Sequence, residues 1–563
     1  MSFTIWGGEM RECRLLFLML TLLVTRCAAA DVDATTLNGR VMCGYQGWFT
    51  AAGDENPFDV WYHWSRTALA PQATNLTVEM YPDFSEFDAD ELFATAMTKG
   101  GSPAPLYSGR TGKTVRRHVR WMNEYGIDGV FAQRFVITLH QDAGYTAHLT
   151  KVLTNLKASC EEFGRVFAVM YDVSGSDEAW FWETMQADWI ALVDSGLMDS
   201  PRYLKHNGKP VVGIWGMGFK DGVHPPADYN KALTIINWFK TNAPAKYRAT
   251  VFGGVPGQWR TRDGDSRTDA GWTTVYRAFN VVSPWTVGRY GTLTQANTWK
   301  TNRIVPDLSD ANTNGMGYCP VIWPGFSWYN LNAGAKNQIP RAGGSFFWRQ
   351  AYNVKSAGCS MLYIAMFDEV DEATAIYKVA PTAAQVPDQG YWLTLDADGY
   401  SLPSDWYLRL AYEAGRMMRG QSALTATMPA APGPLTTSRG TPISWLESYG
   451  LLKEGFESGD LGDTDGDGKP SWAEYVAGTN PKDGTSFLSL GITPSAASNS
   501  VTLSWPGLTG RLYSIFSSQD LAQGVTGATG FTDVAGVNGR MSGTLDLSAS
   551  PRTFFRLGVR LAP

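Results

Sequence analysis

The sequence predicts an α/β chain: a (β/α)8 TIM barrel, then a small calcium-binding segment, then a C-terminal β-sandwich. Three observations carry this. Between residue 40 and about residue 420, short apolar runs alternate with amphipathic stretches, the pattern of parallel βαβ units. Eight or nine such units favour a closed barrel over an open sheet, and no Gly-rich dinucleotide loop follows the first run. Beyond a linker rich in Pro, Thr and Ser, an acidic loop precedes a region that alternates apolar and polar residues between Gly-rich turns.

In chain order, the expected barrel strands are Arg40–Gly47, Thr77–Tyr81, Gly129–Phe135, Val166–Asp172, Pro210–Trp215, Thr250–Val255, Asn280–Trp285, Cys319–Trp323 and Ser360–Phe367. Amphipathic helices are expected at Thr114–Tyr125, Thr146–Phe163, Asp228–Thr241 and Ser345–Ser356, with Trp406–Arg419 closing the barrel. The resulting division is a signal peptide at 1–30, the barrel at 31–422, a linker at 423–441, a calcium-binding helix-loop segment at 442–484 and the β-sandwich at 485–563. A chain of 563 residues is too long for one core, so several domains are expected anyway.

The N-terminus reads as an export signal. Arg11 and Arg14 precede the apolar run Leu15 to Val24, and Ala28, Ala29 and Ala30 provide small residues for cleavage before Asp31. That run is too short to span a bilayer well, and no later segment is long enough to try. The chain is therefore expected to be secreted, periplasmic or displayed at the cell surface, and monomeric. Past the signal, Cys43, Cys160, Cys319 and Cys359 are scattered without metal-ligand spacing and read as buried thiols, although an exported chain permits one bridge. A net charge of −6 leaves no basic surface for nucleic acid.

Function is sought at the strand ends, since the C-terminal rim of a barrel is where catalysis sits. Polar and aromatic residues recur there: Tyr45, Gln46 and Trp48; Tyr81 and Asp83; Gln133 and Arg134; Asp172; Trp215; Trp285; and Trp323. His63 and Trp64 follow the first strand. General polarity of loops explains Asp and Gln but not repeated Trp and Tyr. A carbohydrate cleft explains both, because flat C–H faces of sugars stack on rings. Each aromatic has a second reading as rim core, Arg134 as a salt-bridge partner and His63 as a structural histidine. The 22 Trp suit either reading.

The sharpest signal is Phe367-Asp368-Glu369-Val370-Asp371-Glu372, with four carboxylates directly after an apolar run. Like charges so close repel, so a fold keeps them solvated, bound to metal or in use. Glycoside cleavage uses one carboxyl to move a proton at the scissile bond and a second to activate or stabilise. A like-charged neighbour raises one pKa and lets the two groups differ in protonation. Glu369 and Glu372, at i and i+3, can face the same side of a helical turn. No Ser-His-Asp arrangement, phosphate loop or CxxC motif competes.

This stretch resembles glycoside hydrolase families 99 and 71, the endo-α-mannosidase-like barrels. Family 99 carries Phe-Asn-Glu-Trp-His-Glu-Gly-Thr-Gln-Ile, matched here at Phe367, Glu369, Glu372, Thr374 and Ile376. His63-Trp64, Tyr81-Pro82 with Ser85, and His118 through Met122 leading to Gly126–Gly129 follow in family order. The resemblance spans about residues 40–380. It implies a barrel enzyme cleaving α-glycosidic bonds without a catalytic cofactor. Glu369 would be the base that deprotonates the sugar 2-hydroxyl, which attacks C1 to form an anhydro-sugar. Glu372 would be the general acid/base that protonates the leaving oxygen and then activates water. Val370 and Asp371 stand in place of the family's Trp-His, and Asp172 in place of a Glu. These departures leave the sugar open, as well as a two-carboxylate mechanism through Asp368 or Asp172, and a catalytically inactive carbohydrate-binding or surface adhesion protein.

A second acidic motif runs from Asp463 to Glu474 and fits the twelve-residue calcium loop: Asp463, Asp465, Asp467, Ser471 and Glu474 at positions 1, 3, 5, 9 and 12, Gly468 at 6 and the Lys469 carbonyl at 7. A structural Ca2+ is expected there. With Tyr475 through Pro481 the segment resembles dockerin-like and thrombospondin type 3-like calcium segments, although dockerins carry paired loops and one is evident here. Its expected role is to stiffen the joint between domains. The β-sandwich beyond it would bind carbohydrate or a surface.

Overall fold

The computed structural model describes residues 31–55, 59–494, 499–547 and 553–562; the expected signal peptide lies outside them. The chain divides into two compact units that meet in sequence at Pro434 and Leu435.

The larger unit is built on a parallel sheet. Its strand order is Val321–Ile322, Leu362–Ile364, Val41–Tyr45, Gly129–Phe135, Val166–Asp172, Lys209–Trp215, Thr250–Val255, Val281–Pro284 and Gly317–Tyr318. Every pairing along this path is parallel. The first and last members of the path belong to one stretch of chain, interrupted at Cys319-Pro320. Pro320 has no amide hydrogen to give a ladder. Its carbonyl still accepts from the Tyr363 amide at 3.1 Å, while the Cys319 amide donates to Val282 at 2.9 Å. The sheet thus curls round on itself, consistent with a TIM-like barrel. Its strands are buried along nearly their whole length, as a sheet covered on both faces requires.

Helices Gly112–Glu124, Ala143–Phe163, Phe181–Asp194, Ser345–Ser356 and Trp406–Met418 each bury one stripe among them. Helix Ala143–Phe163 begins with the Asp142 carboxylate accepting from the Tyr145 amide and ends at Gly164 in the left-handed region.

One expectation fails, and one element is unforeseen. Thr77–Tyr81 is no strand of the sheet: the amides of Glu79 and Met80 both donate to the Val370 carbonyl, at 2.8 and 3.2 Å. Its apolar residues pack it instead beneath the loop after the last strand. Between that segment and Gly129 the chain forms an antiparallel hairpin, Leu92–Lys99 with Ser102–Tyr107, which the barrel pattern does not foresee. Cys43, Cys160, Cys319 and Cys359 are buried free thiols.

The smaller unit has three short helices, Ile443–Ser448, Phe456–Leu461 and Ser471–Ala477, the first two packed through Ile443, Leu446, Leu451 and Phe456. Two antiparallel sheets follow. One orders Gly491–Pro494, Ser500–Gly507 and Gly539–Asp546; the other is centred on Arg511–Ser518 and Phe554–Leu561. They share a core of Val501, Leu503, Trp505, Tyr513 and Ile515, the layout of a small sandwich.

Candidate active site

The acidic stretch leaves the strand Leu362–Ile364 and turns back at once, with Ala373 at φ 55° reversing the chain. The four carboxylates then take different environments. Asp368 is buried, and its two oxygens accept the amides of Gln46 and Gly47, each at 2.8 Å. It ties the last strand to the end of the first and is spent on that join rather than offered to a ligand. Burial lifts its pKa to about 6 against the pull of those amides.

Glu369 is also buried. One oxygen accepts from Gln46 Nε2 and the other from Thr374 Oγ1, both at 2.6 Å. Glu372 is half-buried and accepts from Trp328 Nε1 at 3.1 Å. The Glu372 carbonyl holds the same loop through the Ser327 amide at 3.0 Å. Burial pushes Glu372 to about 7. Burial raises Glu369 as well, followed by the charges of Glu372 and Asp371. Asp371 is raised by burial and then by Glu372; its Oδ1 has no hydrogen-bond partner, and its Oδ2 stands 4.0 Å from His63 Nδ1. The group therefore binds protons above the usual carboxylate range, and its protonation states are coupled.

Aromatic residues flank it. His63 stacks on Trp48 with ring centres 3.9 Å apart, and Trp48 on Phe135 at 5.2 Å. Tyr145 donates its hydroxyl to the Trp48 carbonyl at 2.6 Å. Burial keeps His63 neutral by lowering its pKa. Gln133 Nε2 lies 3.5 Å from the Tyr363 hydroxyl, and its Oε1 is buried without a partner. Gln46, Trp48, His63, Gln133, Glu369, Asp371 and Glu372 thus come from four different stretches of chain to the end of the barrel.

Other expected contacts go elsewhere, and side-chain direction is the reason. Neighbours on a strand point to opposite faces, so Gln133 faces inward while Arg134 reaches outward to pair with Asp188 through Nε and Nη2. Tyr45 likewise points under the helices, its hydroxyl 3.0 Å from His118 Nδ1. Trp64 is fully buried and donates to the Tyr107 carbonyl at 2.9 Å. Tyr81 donates to the Pro105 carbonyl at 2.7 Å, and Asp83 caps its own turn through the Ser85 amide. Both line a separate cavity with Lys99 and Gln385. Trp323 packs on Phe346 and Tyr290 in the core. These four aromatics are framework, not platforms. Asp172 accepts from the Ser174 amide and hydroxyl, and burial raises its pKa. Trp215 and Trp285 meet edge to face at 5.3 Å and remain half-buried.

Sequence reasoning missed Trp328, Thr374 as a donor, and Glu79. Glu79 is completely buried and accepts from Ser327 Oγ at 2.6 Å and from the Asn330 amide, bracing the loop that carries Trp328. The available signal was Ser327-Trp328, which lies just past a strand end.

In the smaller unit, carboxylate oxygens of Asp463, Asp465 and Asp467 lie within 4.8 Å of one another. Gly466 and Gly468 take φ values of 79° and 86° and give their amides to Asp463 at 2.9 and 2.8 Å. Ser471 donates its hydroxyl to the Gly462 carbonyl at 3.1 Å, and the Lys469 amide donates to Asp467 at 2.7 Å.

No family model matches this sequence, and no curated protein does. Solved structures do match. The glycoside hydrolase family 99 endo-α-mannosidase of Bacteroides thetaiotaomicron superposes with a TM-score of 0.50 at 14% identity, over 69% of this chain and 100% of that one. The same enzyme in complex with bis-tris-propane gives 0.48 at 14% identity, over 69% and 99%. A glycoside hydrolase-like protein gives 0.44 at 14% identity, over 68% and 96%. The likeness to the first of these is one of fold, a TIM-like barrel.

Proposed function

We propose that the chain is an exported glycoside hydrolase that cleaves α-glycosidic bonds in a polysaccharide or glycan, with Glu369 as base and Glu372 as general acid/base. One observation carries this reading. At the end of the last barrel strand, two glutamates share a coupled, proton-retaining environment but have different partners.

Glu369 receives a donor on each oxygen, from Gln46 and Thr374, which fixes its direction and offsets part of the upward pKa push of burial and of the Glu372 and Asp371 charges. Glu372 has one weaker donor, the Trp328 indole, and is more exposed. With a pKa near 7 it holds a proton it can give to a leaving oxygen at neutral pH. Once Glu369 has taken the proton of a sugar hydroxyl and Glu372 has released its own, the roles reverse as water enters. The Gln46 and Gln133 carbonyl oxygens, left without partners, are acceptors a sugar hydroxyl could use beside Glu369. The match in fold to an endo-α-mannosidase supports an α-linked substrate. Among the described residues, no helix is long and apolar enough to cross a membrane.

Glycan-array digestion with product NMR tests the proposal. Hydrolysis by the parent that is lost in Glu372→Gln and in Glu369→Gln is the expected result. A parent inactive on every α-linked glycan yet still binding one would instead establish a carbohydrate-binding protein.

A further inference from the structure

Arg341 stands just before the helix Ser345–Ser356 and is buried, with 5% of its surface exposed. Gly325 makes room for it, since a Cβ there would come within 2.6 Å of Arg341 Cγ. Its guanidinium lies 4.4 Å from the ring centre of Tyr407, on the helix Trp406–Met418. A guanidinium keeps its charge inside a protein, and a buried charge is costly unless it is paired. Asp398 is the acidic group whose charge acts on it, yet the two Asp398 oxygens accept from the Asn337 side chain and the Ala342 amide, each at 2.7 Å. Arg341 Nη2 is given instead to two carbonyls of the acidic loop, Ala373 at 2.8 Å and Ala375 at 2.7 Å, with Met80 Sδ 3.0 Å away.

Those two carbonyls flank Thr374. The chain reverses at Ala373, whose φ of 55° is disfavoured for a residue with a Cβ. Thr374 is fully buried, and its hydroxyl donates to Glu369 Oε2 at 2.6 Å. The amides of Thr374 and Ala375 donate to the Glu369 carbonyl at 3.1 and 3.0 Å. The turn therefore closes on Glu369 through backbone and side chain together. The Val370 and Glu372 carbonyls of the same loop are held by backbone amides, which survive a change at Arg341.

We propose that Arg341 is a positioning residue of the candidate active site: by bridging the Ala373 and Ala375 carbonyls, it fixes the turn that aims the Thr374 hydroxyl at Glu369. The kinetic consequence rests on the catalytic reading of Glu369 given above; the positioning does not. The Thr374 bond works against the upward push of burial and of the Glu372 and Asp371 charges on Glu369, so a loosened turn leaves that carboxylate holding its proton to higher pH. Gln46 and the Tyr363 hydroxyl also face Glu369, and His63 stands neutral beside Asp371. Arg341 touches none of these four groups, so its effect passes through Thr374.

The test titrates the full chain by NMR with carboxyl-13C-labelled glutamate, using Glu369→Gln to identify the Glu369 signal. Arg341→Met and Thr374→Val should each raise the Glu369 midpoint by about one pH unit, the effect of one lost donor. The double variant should raise it no further. Arg341→Lys keeps the charge but has a shorter reach, and should recover only part of the shift. In glycan hydrolysis the acidic limb of kcat should move with the midpoint, with KM unchanged. If Arg341→Met fails to fold, Arg341→Lys alone and combined with Thr374→Val makes the same comparison. An unchanged midpoint in the folded variants, or shifts that add in the double variant, overturns the inference. A midpoint that moves as expected in a chain that hydrolyses no glycan upholds the positioning and overturns the catalytic reading instead.

Discussion

Two acidic clusters in this protein solve the same electrostatic problem differently. At Asp368–Glu372, neutral donors are gathered around the oxygens: backbone amides for Asp368, an amide and a hydroxyl for Glu369, an indole for Glu372. Burial raises the pKa of each of these carboxylates against the pull of the donors. At Asp463–Glu474, the amides of the loop satisfy the outer oxygens, while Asp465 Oδ2 and Glu474 Oε2 are left enclosed and bare. Donors that reach individual carboxylates fix the direction of each one. Residue type is shared, and each cluster keeps an unpartnered oxygen, Asp371 Oδ1 in the first and Asp465 Oδ2 and Glu474 Oε2 in the second. Side-chain donors from remote stretches reach only the first cluster's glutamates.

The largest expected effect breaks the comparison on the catalytic side. Glu372→Gln keeps shape and the Trp328 contact but removes the exchangeable proton. It should lower turnover on the best glycan by about 10²–10⁴-fold, with an unchanged melting temperature. Equal loss of folding would mean that the residue is structural.

Arg134→Ala tests the opposite kind of charge. Its guanidinium is 2% exposed and pairs with Asp188, which is 14% exposed. Removing it leaves the Asp188 charge without its cation, the Tyr171 hydroxyl still donating at 2.7 Å, and should cost about 3 kcal/mol in chemical denaturation, while KM for glycan stays unchanged. A rise in KM without destabilisation would return Arg134 to the substrate.

Asp368→Ala removes the acceptor for the Gln46 and Gly47 amides. A loss of about 1.5–3 kcal/mol is expected, the range for hydrogen bonds to a charged group. Turnover should fall as well, since Gln46 also holds Glu369. Destabilisation without any change in turnover would show that Asp368 does not position its neighbour.

The pH dependence sharpens the contrast further. Activity should decline as pH rises through about 7, where Glu372 loses its proton. Stability follows the same sign. Glu372 has a raised pKa in the folded state, so the native chain binds more protons than the unfolded one, and this contribution is lost as pH rises from the ordinary value of 4.5 through about 7. Differential scanning calorimetry from pH 4.5 to 8 should show the decline, and it should be smaller in Glu372→Gln. A pH profile identical in parent and variant would remove Glu372 from the cluster's proton balance.

Much of this was readable from the chain itself. The expected strands Gly129–Phe135, Val166–Asp172 and Thr250–Val255 match the observed ends, because a strand covered on both faces must be a short continuous apolar run bounded by polar residues. The acidic stretch was legible for the same reason: so many carboxylates after such a run need an explanation. The spacing of Asp463 to Glu474 is a local geometric rule, and the turns at Gly466 and Gly468 follow it.

Direction and distant partners were not legible. Periodicity locates Gln133 and Arg134 at a strand end but does not say which of the two faces the barrel axis. That depends on the register of the neighbouring strands and on an acceptor 54 residues away, Asp188. Thr77–Tyr81 has the composition of a strand, yet the Val370 carbonyl takes its amides, since the sheet edge it would need is already paired. Trp328 and Glu79 entered the site only through contacts across 44 and 248 residues. The sequence by itself determined the class of fold, where the two acidic motifs stand and what chemistry each can support, because those follow from local spacing and charge. Only the tertiary structure decided which carboxylates are anchored by donors and which keep an enclosed oxygen without a partner, because that depends on donors brought in from remote parts of the chain.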